Sequence, residues 1–194
     1  MKPSPSLKAV FLDRDGTINK EVSFLKKMQE LRLLPGTAKA ISLLNKAGFK
    51  VIVITNQSGV ARGYINEAFL TKLHKEIEKR LARKGARIDG WYYCPHHPEF
   101  GSPDFRKSCT CRKPDTGLIY KAKEEMGLCL PDSFMVGDSL RDIQAGWNAG
   151  LRTVLVLTGY GKKTLEQIQK MRRKKLDYIA QNLLEAAEWI VKQY

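Results

Sequence analysis

Asp13-Arg14-Asp15-Gly16-Thr17 sets two carboxylates two positions apart. Acids that close can divide the work of nucleophile and general acid/base, the more so where a divalent cation keeps one of them ionised. Three further segments carry matching chemistry. Thr55-Asn56-Gln57-Ser58 offers a hydroxyl, two amides and backbone N–H groups in a tight turn. Such a turn suits phosphate oxygens, or equally a loop that satisfies its own backbone. Arg112-Lys113-Pro114 supplies cations that either reach a phosphate or remain ordinary surface charge. Gly137-Asp138, with Asp142 four residues later, supplies an acid for a hard cation, and magnesium favours a few carboxylates with water and substrate oxygens.

A second constellation is softer. Cys94-Pro95-His96 and, after twelve residues, Cys109-Thr110-Cys111 bring three thiols and an imidazole into one loop. Four such donors complete a tetrahedral zinc site with no position left for water, so the ion would be structural and would pin the loop that ends in Arg112 and Lys113. The competing reading is a reactive or accidental cluster, although three of the chain's four cysteines fall here. His97 is an alternative ligand. His74, on a helical segment, reads as exposed, and Cys129, between Leu128 and Leu130, as core.

The elements that must position these groups follow from hydrophobic periodicity. Ala9 to Leu12 is an apolar run ending in the first acidic turn, which fits a buried strand delivering Asp13 and Asp15 at its carboxyl end. After Pro35-Gly36 the positions Ala38, Ile41, Leu44 and Ala47 recur at helical spacing and stop at Gly48. Phe49 to Ile54 reads as a second buried strand ending at Thr55. Asn66 caps a helix with Leu70, Leu73, Ile77 and Leu81 on one face, closed by Gly85, and Ile88 to Tyr93 forms a third strand. Cys94 to Pro114 is irregular. Asp115 to Met126 reads as helix, Phe134 to Val136 as strand, Leu140 to Asn148 as helix and Thr153 to Leu157 as strand. From about residue 162 the tail reads as helical, with Leu183, Leu184, Ala187 and Ile190 on the face that packs on the sheet. The alternation predicts an α/β fold with a doubly wound parallel sheet, whose ligands bind beyond the carboxyl ends of the strands. Asp13, Asp15, Thr55, Cys94 and Asp138 all fall there.

Composition bounds the rest. The chain of 194 residues suits one domain, read as a disordered lead-in over 1–7 and a single domain over 8–194 with its zinc loop at 94–111. No apolar run is long enough to cross a bilayer, and no apolar stretch precedes the first strand as a secretory signal would, so a cytoplasmic location is expected. The net charge of +14 would attract any polyanion, whether sugar phosphate, nucleic acid or acidic membrane surface. Part of it lies in the run from Lys170 to Lys175, which reads as a solvated helix face.

The four polar motifs, in this order on these strand ends, resemble the haloacid dehalogenase superfamily of phosphohydrolases, whose Rossmannoid fold the expected sheet matches. The resemblance implies that Asp13 attacks phosphorus, that Asp15 protonates the leaving oxygen and then deprotonates water, and that Thr55 and Lys113 steady the phosphoryl group. It also implies that Asp13, Asp138 and the backbone carbonyl of Asp15 hold magnesium, with Asp142 behind them. The zinc loop of Cys94, His96, Cys109 and Cys111 narrows the resemblance to a branch holding the heptose-1,7-bisphosphate 7-phosphatases and the histidinol-phosphatases. Thr55 to Gly63 and Cys94-Pro95-His96-His97-Pro98, with the long interval before Cys109, look like the heptose group. On that resemblance the substrate is a heptose 1,7-bisphosphate on the way to a nucleotide-activated heptose for lipopolysaccharide. Arg112, Lys113 and Thr55-Asn56-Gln57-Ser58 would bind it, and Glu21, Val22, Ser23 and Phe24 would line the entrance. The family usually has a glycine and a tyrosine where this chain has Ser23 and Phe24, and a lysine where it has Ser139. No insertion is large enough for a cap domain, so an open site in a monomer is expected. Three other readings compete: a histidinol-phosphatase, a polynucleotide 3′-phosphatase suited to the charge, and a non-catalytic zinc-stabilised binding module. Against the nucleic-acid reading stand the zinc loop and the lack of a basic groove interleaved with aromatics.

Overall fold

The structure, a computed structural model, describes residues 7–171 and 176–194. In chain order the elements are β1 (Ala9–Leu12), a single 3-10 turn (Met28–Glu30), α1 (Thr37–Lys46), β2 (Lys50–Asn56), α2 (Ser58–Ala61), α3 (Glu67–Ala82) and β3 (Gly90–Cys94). They continue with α4 (Gly117–Met126), β4 (Phe134–Gly137), α5 (Leu140–Asn148), β5 (Arg152–Val156), α6 (Gly161–Gln169), β6 (Tyr178–Ala180) and α7 (Leu183–Val191). The six strands form one parallel sheet in the order β3-β2-β1-β4-β5-β6.

β1 has a strand on either side and helices on both faces. Its four residues are therefore all apolar and buried, where a half-exposed strand would alternate. Val10 and Leu12 share one face with Val51, Val53, Phe134 and Val136, and this face meets α1, α3 and α7. Ala9 and Phe11 share the other with Ile52, Ile54 and Met135, against α4 and α5. Each fully buried Leu, Ile or Phe here contributes roughly 1.5–3 kcal/mol, so the strand ends rest on a stiff base.

The chain leaves β1 toward β2 and β3, then returns to the opposite side of β1 at β4. That reversal opens a crevice beyond the carboxyl ends of β1 and β4. Leu12 pairs with Val136, and the Asp13 amide donates to the Val136 carbonyl at 3.0 Å, which brings the residues just past both strands to the same level. The linkers flanking this crevice, between β1 and α1 and between β3 and α4, hold no helix or strand beyond the single turn at Met28–Glu30 among the described residues, in keeping with an open site. No described helix is long and apolar enough to cross a membrane.

Two expectations need correcting. The tail is not all helix: Tyr178–Ala180 joins the sheet as β6, paired with Val154–Val156, and the Asp177 carboxylate accepts from the Thr153 amide at 2.7 Å. A three-residue edge strand with one neighbour shows no periodicity of its own. Leu7 is also not a free lead-in. It bridges to Leu128, and its carbonyl accepts from the Cys129 amide at 2.9 Å. The rest of the lead-in, 1–6, and most of the basic run, 172–175, lie outside the described residues.

Candidate active site

Asp13 sits one residue past β1 in a turn that closes on itself. The amides of Ile18 and Asn19 donate to the Arg14 carbonyl at 2.8 and 3.1 Å, and the Gly16 amide donates to the Asn19 carbonyl at 2.7 Å. Gly16 takes φ +83°, and a Cβ there would run into the Asp138 carboxylate, so glycine is required both by the backbone and by the close approach of β4's acid.

Lys113 makes the contact that organises the site. Its Nζ donates to Asp13 Oδ1, to Asp142 Oδ1 and to the Ile54 carbonyl, each at 2.7 Å, and the side chain is only 2% exposed. All three donor sites of the ammonium are thus used. Asp13, Asp138 and Asp142 each offer an oxygen within 4.8 Å of the others. Asp138 accepts from the Tyr160 amide at 2.7 Å. Asp142 spends its second oxygen on the amide and hydroxyl of Ser139, at 2.9 and 2.6 Å, capping α5. Ser139 is therefore a cap turned toward Asp142.

Three buried acids face one ammonium. Burial, with the repulsion of Asp142 next, pushes Asp13 up to about 7 against the pull of Lys113. Burial and the charges of Asp13 and Asp142 push Asp138 up to about 8. Burial works against the charge of Lys113, yet Asp13 and Asp142 outweigh it and hold the ammonium above its ordinary range. The surplus of negative charge on short, hard oxygen donors fits a divalent cation of the magnesium type.

Asp15 lies in a different environment. Arg14 Nη2 and Gln57 Nε2 donate to its Oδ2 at 2.6 and 2.9 Å, and Asn19 Nδ2 donates to Oδ1 at 2.8 Å. Burial pushes this carboxyl up, but Arg14 and these hydrogen bonds prevail and hold it below the usual range. Two acids two residues apart are thus driven in opposite directions, which is how paired carboxylates come to hold different roles.

The motif at the end of β2 positions several of its neighbours. Asn56 exchanges both amide atoms with the Lys113 backbone at 3.0 Å. Gln57 Nε2 donates to Thr55 Oγ1 at 2.8 Å as well as to Asp15, which leaves the buried Thr55 hydroxyl proton for another acceptor. Ser58 opens α2 on the cavity wall.

The groups from Asp13 to Asp142 line a cavity of about 660 Å³. Glu21, Ser23, Phe24 and Arg112 line it too, whereas Val22 packs against the core and does not. Ser23 adopts φ 62°, the left-handed region that favours glycine, at the position where the resemblance expects one. Phe24 packs edge-on to Tyr64, with ring centroids 4.9 Å apart. Arg141 from α5 and Lys163 from α6 also line the cavity, although nothing in their local sequence separates them from the chain's other cations.

The soft donors converge as expected. Cys94 Sγ lies 3.5 Å from Cys109 Sγ and 3.2 Å from Cys111 Sγ, and His96 Nδ1 lies 3.3 Å from Cys111 Sγ, with all the thiols free of disulfides. The contact with Cys94 leads the forces that pull the Cys111 thiol down to about 5. Three thiols and an imidazole, each with a ligand atom within 4.8 Å of the others, fit zinc. The quartet adjoins the acidic site directly: Gln57 N donates to the Cys94 carbonyl at 2.8 Å, and Arg112 Nη1 to the His96 carbonyl at 3.1 Å. His97 stands apart, its Nδ1 accepting from the Glu99 amide at 3.1 Å. Cys129 is half-buried beside Asp132 and joins neither core nor quartet. His74, expected at the surface, is buried at 6% exposure, because it lies between Leu70 and Ile77 on the core-facing side of α3.

Comparison with known proteins agrees with this geometry. Residues 110–186 match the HAD-hydrolase-like family model. The chain is 38% identical over 189 residues to the D-glycero-beta-D-manno-heptose-1,7-bisphosphate 7-phosphatase of Escherichia coli K12, covering 97% of this chain and 96% of that one. It is 41% identical over 186 residues to the D-glycero-D-manno-heptose-1,7-bisphosphate 7-phosphatase of Thermosynechococcus vestitus, covering 94% of each. Among solved structures, the D,D-heptose 1,7-bisphosphate phosphatase of B. bronchiseptica, complexed with magnesium and phosphate, superposes with a TM-score of 0.87 at 35% identity, over 97% of this chain and 100% of that one.

Proposed function

Because the chain belongs to the D-glycero-D-manno-heptose-1,7-bisphosphate 7-phosphatase family, we propose that it removes the 7-phosphate of that sugar through an aspartyl-phosphate on Asp13. The observation that carries the reading is Lys113 bonded to Asp13 at the wall of a cavity that also presents Asp15, Thr55 and Asp138.

Asp13 attacks phosphorus while the bond to the sugar oxygen breaks, and Asp15 gives that oxygen its proton. Negative charge arriving with the substrate raises Asp15 toward the protonated form against the pull of Arg14. Asp15 then takes a proton from water as it attacks the aspartyl-phosphate and releases inorganic phosphate. Lys113, by exchanging its contact with Asp13 for the phosphoryl group that Asp13 takes up, and the Thr55 hydroxyl hold the phosphoryl oxygens. Magnesium, held by Asp13, Asp138 and the Asp15 carbonyl, would offset the repulsion between the nucleophilic carboxylate and the phosphate dianion. Cys94, His96, Cys109 and Cys111 would hold a structural zinc ion. Arg112, Arg141 and Lys163 line the same cavity with no ion-pair partner among the described residues, which supports a substrate with a second phosphate. A monomer suffices for this scheme, since the residues named here all lie within 8–194 of one chain. Its free thiols suit the reducing cytoplasm, where the product would feed nucleotide-activated heptose synthesis.

Magnesium binding is expected to strengthen with pH. Asp13 and Asp138 titrate near 7 and 8 in the metal-free chain and must both be ionised to hold the cation. A carboxyl raised on folding stabilises the fold at low pH, and that contribution is lost as pH rises through the folded value; magnesium restores it at the upper end. Below pH 7 each displaced proton costs about tenfold in affinity per pH unit. Thermal melts with and without magnesium at pH 6 and 8.5 will therefore show the larger rise in Tm at pH 8.5, and equal rises would contradict the assignment.

The activity is tested by phosphate release from α- and β-heptose 1,7-bisphosphate, histidinol phosphate and a 3′-phosphorylated oligonucleotide. One heptose anomer is expected to lead the others by about tenfold or more in kcat/KM. A lead for the oligonucleotide would make the charge of +14 the better guide.

A further inference from the structure

Beneath Asp15 lies a buried polar group that the reaction scheme does not use. Arg14 is 1% exposed, and its guanidinium bridges two partners: Nη2 donates to Asp15 Oδ2 at 2.6 Å, and Nη1 faces His74 Nε2 at 3.4 Å. Its Nε has no hydrogen-bond partner among the described residues, so these two contacts hold the guanidinium. A guanidinium only donates. His74 must therefore present a lone pair at Nε2, with its proton on Nδ1. Burial and the neighbouring Arg14 charge push the imidazole down to about 3, so it stays neutral.

The imidazole is itself clamped. It stacks on Trp91, with ring centroids 4.2 Å apart and planes 16° from parallel, and meets Tyr93 edge-on at 6.1 Å. Trp91 Nε1 donates to Glu78 Oε1 at 2.6 Å, and Glu78 lies one turn beyond His74 on α3. A rigid stack between α3 and β3 thus fixes the acceptor at His74 Nε2 that faces the far side of Arg14.

We propose that His74 is a positioning residue for the reaction, which by accepting from Arg14 holds the guanidinium that orients the Asp15 carboxyl toward the leaving oxygen. The proposal rests on the phosphatase reading above. Without the acceptor, the guanidinium has no second anchor, and Asp15 is left to its bonds from Asn19 and Gln57, which loosens the alignment on which proton transfer depends.

Two variants separate this role from packing. His74→Phe keeps the volume and the stack on Trp91 but removes the acceptor; His74→Gln keeps an acceptor carbonyl and loses the ring. Each is assayed with magnesium on heptose 1,7-bisphosphate and on p-nitrophenyl phosphate. The nitrophenolate leaves without a proton, so a defect confined to proton delivery spares it in kcat/KM. His74→Phe is expected to lose about tenfold or more on the sugar and less than about threefold on the aryl ester, with His74→Gln recovering most of the loss. Equal losses on both substrates, or parental kcat/KM for His74→Phe on the sugar, would overturn the proposal. A parent chain that hydrolyses neither substrate overturns the phosphatase reading and the proposal with it; a parent that cleaves both leaves the variants to decide His74 alone.

Discussion

Asp13→Asn is expected to lower kcat by about 10⁴-fold or more and, in the same protein, to raise the Tm of the metal-free chain at pH 8.5. The loss follows because the amide of asparagine is too weak a nucleophile to form the acyl phosphate. The gain follows from the surroundings. Asp13, Asp138 and Asp142 crowd within 4.8 Å around one Lys113 ammonium, and burial holds Asp13 near 7. At pH 8.5 the native carboxylate is ionised at a cost, which the amide avoids while still accepting from Lys113 Nζ. Lys113 keeps its pair with Asp142 at 2.7 Å, so no buried charge is stranded. At pH 6 Asp13 already carries a proton, and the gain in Tm should shrink. Retained turnover would remove Asp13 as the nucleophile. A lower Tm at pH 8.5 would mean that the ionised carboxylate stabilises the fold.

Cys109→Ser is expected to lose bound zinc, stability and turnover together. A structural zinc site contributes its binding free energy to folding, so removing a ligand should cost several kcal/mol, about 10 °C or more in Tm. Activity falls for a geometric reason. Cys111 is two residues from Lys113, and the intervening Arg112 is tied by Nη1 to the carbonyl of His96, another member of the quartet. Asn56 holds the Lys113 backbone from the other side, and the Gly117 amide donates to the Thr110 carbonyl at 2.8 Å where the loop enters α4. A loosened quartet therefore frees one of the two clamps on the lysine that meets Asp13, and an ångström of displacement there is worth about 10²-fold in rate. The measurement is metal content, thermal melt and kcat on the same preparation. Loss of zinc with unchanged kcat would show that Asn56 alone suffices to place Lys113; an unchanged Tm with no zinc in the parent would refute the metal.

The contrast between these variants marks where sequence reading stops. An apolar run broken by Asp13, or by Asp138, is a local signal: a parallel strand buried on both faces must be apolar throughout, so the first polar residue marks its end and the mouth of the crevice. Donor type alone drew Cys94, His96, Cys109 and Cys111 together, since soft ligands are scarce in this chain. The alternation of strand and helix over residues 9–157 carried the doubly wound sheet in the same way.

What spacing does not encode is the partner across the chain. Lys113 and Asp13 are 100 residues apart, and only the folded sheet shows that the ammonium also takes Asp142 and the Ile54 carbonyl. Asn56, read as a substrate contact, spends both ends of its amide on the Lys113 backbone, and Gln57 spends its Nε2 on Asp15 and Thr55, although both also line the cavity. Val22 turned to the core and His74 was buried on α3, each against its expected exposure, since helix and loop faces are chosen by what packs on them. Periodicity within the chain therefore determined which strand ends carry the chemistry. The pairing of charges at those ends was decided by tertiary packing: Asp13 is pushed up by burial and by Asp142 against the pull of Lys113, partners that its local sequence does not contain, whereas Asp15, against its burial, is held down chiefly by Arg14 and Asn19 beside it.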